Sequence, residues 1–322
     1  MLNRYLDFMH CASTAACRMR LNIRPTLNHP DVLVTPQERT MTYRSLLVLL
    51  DQDPLCAARS QAAMRLAKAL DCHLVGVAPT GLIDLPASAH AAASLAEYAA
   101  LAWDTLRDQA ERATDRFRDG CRAAGVKSCE AVIDESDQAA SLVRHAHCSD
   151  LTLLTQADPT SREYRRARDL VEQVLLYSAR PTLILPYAGR SDSIGTKVMV
   201  AWDDSREAAR AVSDALPLLR LRLAEHVLVV NWNEAGAIEN QALRPRLDAL
   251  HRWLMWQGVS AEVRVETTDI GIAQAMLSRA AELRTDLIVM GAYGHARWTE
   301  RVLGGATRGL LASMTVPVLM SH

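Results

Sequence analysis

The sequence predicts an α/β fold, two doubly wound parallel sheets in tandem, and three observations carry that expectation. The chain has 322 residues, too many for one small core and enough for two domains of about 150. Runs such as Val227-Leu228-Val229-Val230 and Leu287-Ile288-Val289-Met290 are apolar at every position. Strands buried on both faces read that way, which requires a parallel sheet covered by helices. The two halves also repeat: Asp150-Leu151-Thr152-Leu153-Leu154 aligns with Asp286-Leu287-Ile288-Val289-Met290 at 286 − 150 = 136, and Pro181-Thr182-Leu183-Ile184 aligns with Pro317-Val318-Leu319-Met320 at 317 − 181 = 136.

In chain order, residues 1–40 lack sustained periodicity and carry Pro25, Pro30 and Pro36, so they are expected to be a flexible extension, or an over-called start with Met41 the true one. No cleavage site or amphipathic stripe supports a transit peptide there. Residues 41–188 form the first copy. It opens with the strand Leu46 to Asp51 and holds about sixteen extra residues, because the first strands end at Asp51 and Asp203, 203 − 51 = 152 apart. An Ala-rich helical stretch from Ala89 to Arg122 is expected to absorb them. Residues 189–196, with Gly189, Ser191, Ser193 and Gly195, read as the linker.

The second copy is 197–322. Ser205 stands ahead of Ala208, Val212, Ala215 and Leu219, an N-cap before a helical stripe. Each copy therefore reads as five strands alternating with four helices, and ligands of such sheets bind outside the carboxyl ends of the strands.

Composition narrows the function classes. With 49% hydrophobic and 23% charged residues the chain is a folded protein, and 36 basic against 37 acidic side chains offer no global field for nucleic acid or an anionic membrane. No stretch approaches the ~20 apolar residues of a membrane span. Seven cysteines without regular spacing, all in the first half, argue for a reducing cytoplasm rather than a disulfide framework.

Five of the fourteen glycines fall between Gly291 and Gly309, after an apolar strand and leading into a helix expected from about Ala306. Gly291, Gly294, Gly304 and Gly305 would let backbone approach a bulky anion at a helix N-terminus, as a phosphate requires. The pattern is neither the dinucleotide fingerprint nor a P-loop.

The spacing Gly, two residues, Gly, nine residues, Gly resembles the signature end of the universal stress protein family, and Val198 to Ser205 resembles its opening strand, which ends in Asp-Gly-Ser. The resemblance covers 41–322 as a tandem pair and implies Rossmann-like, adenine nucleotide alpha hydrolase-like domains. It further implies ATP, with or without Mg²⁺, bound in the second copy: Asp203 for ribose or adenine, and Gly291, Gly294, Gly304 and Gly305 around the phosphates. Gly305 stands where the family has Ser or Thr, and Thr307 could supply the hydroxyl instead. The role implied is that of a cytoplasmic stress-response sensor or regulator, not an enzyme; a structural or interaction protein of the same fold is the alternative. The resemblance also implies edge pairing through Thr182 to Leu185 and Val316 to Met320, an intramolecular pseudo-dimer that leaves open a homodimer through other faces.

In the first copy the offset maps the four glycines onto Thr155, Asp158, Arg168 and Asp169, so side chains fill the close-approach positions and two carboxylates would repel phosphate. Three other groupings are weaker. Asp203 with Asp204 could hold Mg²⁺, but adjacent turn residues diverge. His145, His147 and Cys148 point different ways on a helix. Arg297, Arg301 and Arg308 flank the glycine loop, as a solvated face or as charge balance for a polyphosphate. No nucleophile with a paired base emerges.

Overall fold

The computed structural model of the chain describes residues 42–81, 92–188, 193–221, 224–234, 243–294 and 305–322. The expected extension 1–40, residues 189–192 of the expected linker and Gly304 lie outside the described residues.

The first half runs β1 (Ser45–Leu49), α1 (Cys56–Leu70), β2 (His73–Pro79), α2 (Ala92–Ala124), β3 (Cys129–Asp134), α3 (Gln138–Ala146), β4 (Leu151–Thr155), α4 (Tyr164–Tyr177) and β5 (Thr182–Leu185). The second half repeats it as β6 (Lys197–Ala201), α5 (Arg206–Arg220), β7 (His226–Glu234), α6 (Leu243–Trp256), β8 (Glu262–Thr268), α7 (Ile272–Leu283), β9 (Leu287–Gly291), α8 (Gly305–Ser313) and β10 (Val318–Ser321). The extra residues of the first half lengthen one element, since α2 has 33 residues and its counterpart α6 has 14.

The ten strands of the described residues join one sheet in the order β3-β2-β1-β4-β5-β10-β9-β6-β7-β8. Neighbours within each half are parallel, and the halves meet through the antiparallel pair β5 and β10. Val318 faces Ile184, Leu319 faces Leu183 and Met320 faces Thr182. Since 183 + 136 = 319, the pairing is self-complementary about Leu183 and Leu319, as a local twofold axis requires. The last strand starts at Val318, not Val316, because Pro317 has no N–H to give the ladder; its carbonyl still accepts from Ile288 N at 2.9 Å.

Alternation along the strands divides the core between two layers. Leu46, Val48, Val198 and Val200 face α1, α2, α5 and α6, whereas Leu47, Leu49, Met199 and Met290 face α3, α4, α7 and α8. Both layers run through both halves. Each fully buried leucine contributes about 2 kcal/mol, and Leu46, Leu47, Leu153, Leu183 and Leu319 are each 0% exposed.

The aspartates that mark the repeat have a shared task. Asp150 accepts from the amides of Arg44 (2.7 Å) and Ser45 (2.9 Å), fixing the entry to β1. Asp286 accepts from the amides of Gly195 (3.1 Å), Thr196 (3.1 Å) and Lys197 (2.9 Å) and from the Ser193 hydroxyl, fixing the entry to β6. The described end of the expected linker is thus pinned to the second half.

Candidate functional site

The strands of the second half deliver their carboxyl ends to a cavity of 340 Å³. Five of the six residues singled out by sequence line it: Asp203, Gly291, Gly294, Gly305 and Thr307. Sequence reasoning missed its apolar end, formed by Trp232 of β7, Ile272 and Met276 of α7, and Met290 of β9. Ala201, Trp202, Glu234 and Ala306 complete the wall among the described residues. The signal was available, since Trp202 precedes Asp203, Trp232 and Glu234 end β7, and Ile272 and Met276 stand four apart on one helical face.

The opening turn is organised by side chains. Asp203 Oδ1 accepts from Ser205 N (3.0 Å) and Ser205 Oγ (2.6 Å), and Ser205 Oγ in turn accepts from Ala208 N (3.1 Å), the N-cap that the sequence predicts. Asp204 adopts a left-handed φ of 63° and turns away to pair with Arg246 of α6. The two aspartates therefore do not converge on one ion. Among the described residues no three His, Cys, Asp or Glu side chains gather as a metal site would need.

The glycines work differently from one another. A Cβ on Gly291 would lie 2.6 Å from Ala208 N and 2.7 Å from the Glu207 carbonyl carbon, so this glycine permits the first turn of α5 to press against β9. A Cβ on Gly294 would meet Ser205 Oγ at 3.1 Å and Glu207 Oε2 at 3.2 Å. The missing side chains of both glycines thus face α5, while both residues line the cavity. At Gly305 nothing among the described residues lies within 4 Å of the added Cβ.

Thr307 is 3% exposed, and its Oγ1 accepts from Tyr293 N at 3.3 Å. Its oxygen is thus engaged within the loop, with the hydroxyl proton still to donate. Tyr293 holds a left-handed φ of 65° between Gly291 and Gly294, and its ring meets His322 edge-on at 5.8 Å. Glu207, 4% exposed, is an acid the sequence reading passed over. Burial pushes its carboxyl up, but bonds from Arg206 and from its own amide outweigh that and hold it below the usual range.

The remaining candidates separate. His145 contacts Asp134 at 3.1 Å and His147 contacts the Tyr177 carbonyl at 3.2 Å, while Cys148 is exposed. Arg308 lines not this cavity but a small one beside Glu172 and Arg168 of α4; Arg297 and Arg301 lie outside the described residues.

In the first half, Thr155 stands at the position of Gly291 and is bonded by Arg59, a residue sequence reasoning did not single out. Arg59 is 3% exposed and donates from Nη1 to Thr155 Oγ1 (2.8 Å), from Nη2 to Asp51 Oδ1 (2.7 Å) and from Nε to the Leu49 carbonyl (3.0 Å). Asp158 accepts from Thr160 in a surface turn. The first-half cleft, also 340 Å³, is walled by Asp51, Asp53 and Glu163, and Glu163 is the N-cap residue of α4.

Residues 196–322 match the universal stress protein family. A universal stress protein from Archaeoglobus fulgidus DSM 4304 superposes over 86% of this chain and 95% of its own, with a TM-score of 0.65 at 18% identity. A functionally unknown protein from Pseudomonas aeruginosa PAO1 covers 87% and 92%, with a TM-score of 0.51 at 16% identity. At such identities the likeness is one of fold, and it extends over both halves. No curated protein matches the chain in sequence. Residues 196–322 are thus a universal stress protein domain, joined to a first half of the same fold.

Proposed function

We propose that the second half binds an adenine nucleotide, ATP with or without Mg²⁺, and that the chain is a cytoplasmic stress-response sensor or regulator, not an enzyme. The observation that carries the reading is the polarity of the 340 Å³ cavity. Trp232, Ile272, Met276 and Met290 offer an aromatic base apolar contact, and the first turn of α8 at Gly305, Ala306 and Thr307 offers a phosphate backbone N–H groups that have no partner within the helix and a favourable helix dipole. Asp203 stands between them, where a ribose would lie. The groups present fit the ligand, with space at Gly305 for phosphate oxygens.

In this reading 41–188 and 197–322 are two domains paired as a pseudo-dimer, supported by the self-complementary register of β5 and β10. The first domain does not bind nucleotide. Its Arg59 is consumed by Asp51, Thr155 and Leu49, and three carboxylates line its cleft. The interaction-protein alternative draws on Gly305, which withholds a hydroxyl, and on Thr307, whose oxygen already serves Tyr293. Calorimetric titration of the full chain with ATP, with and without Mg²⁺, decides between them. One site per chain is expected, and no heat at millimolar ATP leaves the interaction reading standing.

A further inference from the structure

We propose that the half without a glycine loop is a positioning element for the half that has one, acting through α8: Gln156 fixes the far end of that helix and Glu172 steadies its middle. The proposal rests on the reading of the cavity as an adenine-nucleotide site for its effect on affinity, but not for its effect on α8 itself.

Gln156 directly follows β4 and is 3% exposed. Both ends of its amide are occupied. Nε2 donates to the Leu311 carbonyl of α8 at 2.9 Å, and Oε1 accepts from Tyr187 N, just past β5, at 3.1 Å. Leu311 lies in the last turn of α8, where carbonyls have no partner within the helix, so a side chain from the other half supplies the missing bond. A nine-residue helix is about 13 Å long and moves as a rod. Whatever fixes Leu311 therefore also fixes Gly305, Ala306 and Thr307 at the cavity.

Between these ends an acid of α4 and a base of α8 line one small cavity. Glu172 of α4, with Arg168 Nε at 3.2 Å from its Oε1, shares a 50 Å³ cavity with Arg308 of α8. Burial raises the Glu172 carboxyl pKa against the pull of Arg168 and Arg308. Its influence reaches the glycine loop: the Tyr293 hydroxyl is pushed upward, first by burial and then by Glu172.

The arrangement runs in one direction. The residue equivalent to Gln156 in the second half is Ala292 (156 + 136 = 292), which has no amide to give α4. The residue equivalent to Glu172 is Arg308 itself (172 + 136 = 308). In an exact twofold pair, identical charges would meet near the axis and repel. Here divergence of the halves has placed an acid opposite a base, on the helix that opens the cavity.

The test uses the full chain and two readouts. Gln156→Met keeps the volume and removes both bonds; hydrogen exchange at Gly305–Ser313 of the ligand-free protein should rise about fivefold, since a lost bond of ordinary strength is worth about that factor. ATP affinity by calorimetry should fall about five- to tenfold. Tyr43→Phe is the control, because it removes a bond between the halves on the opposite side of the sheet (Tyr43 OH to the Asp214 carbonyl, 2.6 Å) and should leave α8 exchange unchanged. Glu172→Arg should raise α8 exchange, and adding Arg308→Glu should restore it, a rescue that a merely space-filling role would not give. Unchanged α8 exchange in Gln156→Met overturns the proposal. So does an equal rise in Tyr43→Phe, or a rise spread evenly over both halves. If the parent chain gives no heat with ATP while α8 exchange still responds as described, the positioning claim stands and the nucleotide reading falls.

Discussion

At the carboxyl end of β4 and at the carboxyl end of β9 the same backbone has been finished in two ways. In the second half Gly291 lets the first turn of α5 close against the strand, and the position equivalent to Arg59 is Ala211 (59 + 152 = 211), buried and inert. In the first half Thr155 and Arg59 fill that junction and brace it to Asp51 and Leu49. Cavity volume does not distinguish the halves, for both clefts measure 340 Å³. The walls do. Glu163 stands at the N-cap position of α4 without a side-chain cap bond, whereas at Gly305 nothing among the described residues lies within 4 Å of an added Cβ, so the two sites differ in the chemistry of their walls and not in their size.

The comparison breaks most visibly at Arg59. Replacing it with Ala leaves Asp51, 16% exposed, without its cation, and should cost about 3–5 kcal/mol in denaturant unfolding of the full chain, as removal of one partner of a buried pair does. The equivalent change does not exist in the second half. If Arg59→Ala unfolds with the parent's midpoint, the brace is ornamental and the first half is held by its apolar layers alone.

Gly291→Ala probes the opposite design. The new Cβ meets backbone, at 2.6 and 2.7 Å, rather than a flexible side-chain tip, so α5 must move off β9 at a cost of about 1–3 kcal/mol. The reverse change, Thr155→Gly, adds no such clash and removes only the bond to Arg59. A differential scan that finds Gly291→Ala harmless would mean α5 can shift freely, and the close packing would lose its significance.

How much of this was legible in the sequence follows from which physics is local. The repeat at 136, the fully apolar strands and Ser205 as an N-cap depend on spacing along the chain, and they carried the fold and the outline of the site. The face to which each glycine's missing side chain points depends on where α5 packs, which no spacing reveals; the sequence offers Gly291 and Gly294 as close-approach positions, and only the fold shows that their absent side chains make room for Ala208, Ser205 and Glu207. Arg59 was passed over for the same reason. A lone arginine on a helix reads as a solvated charge, and only the tertiary fold sets Asp51, Thr155 and Leu49 around it.

Acid should separate the halves further. Asp134 closes β3, where the second half has Thr268 at the end of β8. Burial raises the Asp134 pKa, but bonds from Ser141, Ser136 and Arg144 outweigh it and lower the value to about 2. A depressed folded-state value means that the contribution, about 2 kcal/mol, is present above the ordinary pKa of 3.8 and is lost as pH falls from about 4 towards 2. Amides of α3 should therefore lose exchange protection in that window before those of α7. Asp134→Asn should remove the difference, and equal acid sensitivity of both helices in the parent would show that Asp134 does not set it.

The smallest expected effect is the most informative about function. Among the described residues Gly305 has nothing within 4 Å of its would-be side chain, so Gly305→Ser introduces a hydroxyl at the first turn of α8 without a clash against them. Stability should stay within about 0.5 kcal/mol of the parent, as for an open surface position. If ATP phosphates lie at this turn, the new donor should form one charge-assisted bond and raise affinity about fivefold, the equivalent of about 1 kcal/mol. The same change cannot act in the first half, where the equivalent position is already Asp169. A fivefold gain measured by calorimetry would tie the phosphate to α8 and leave Thr307 free to serve Tyr293. No change would mean that the nucleotide, if bound, directs its phosphates away from this helix, and Gly305 would then mark a half that has begun the course the first half has completed.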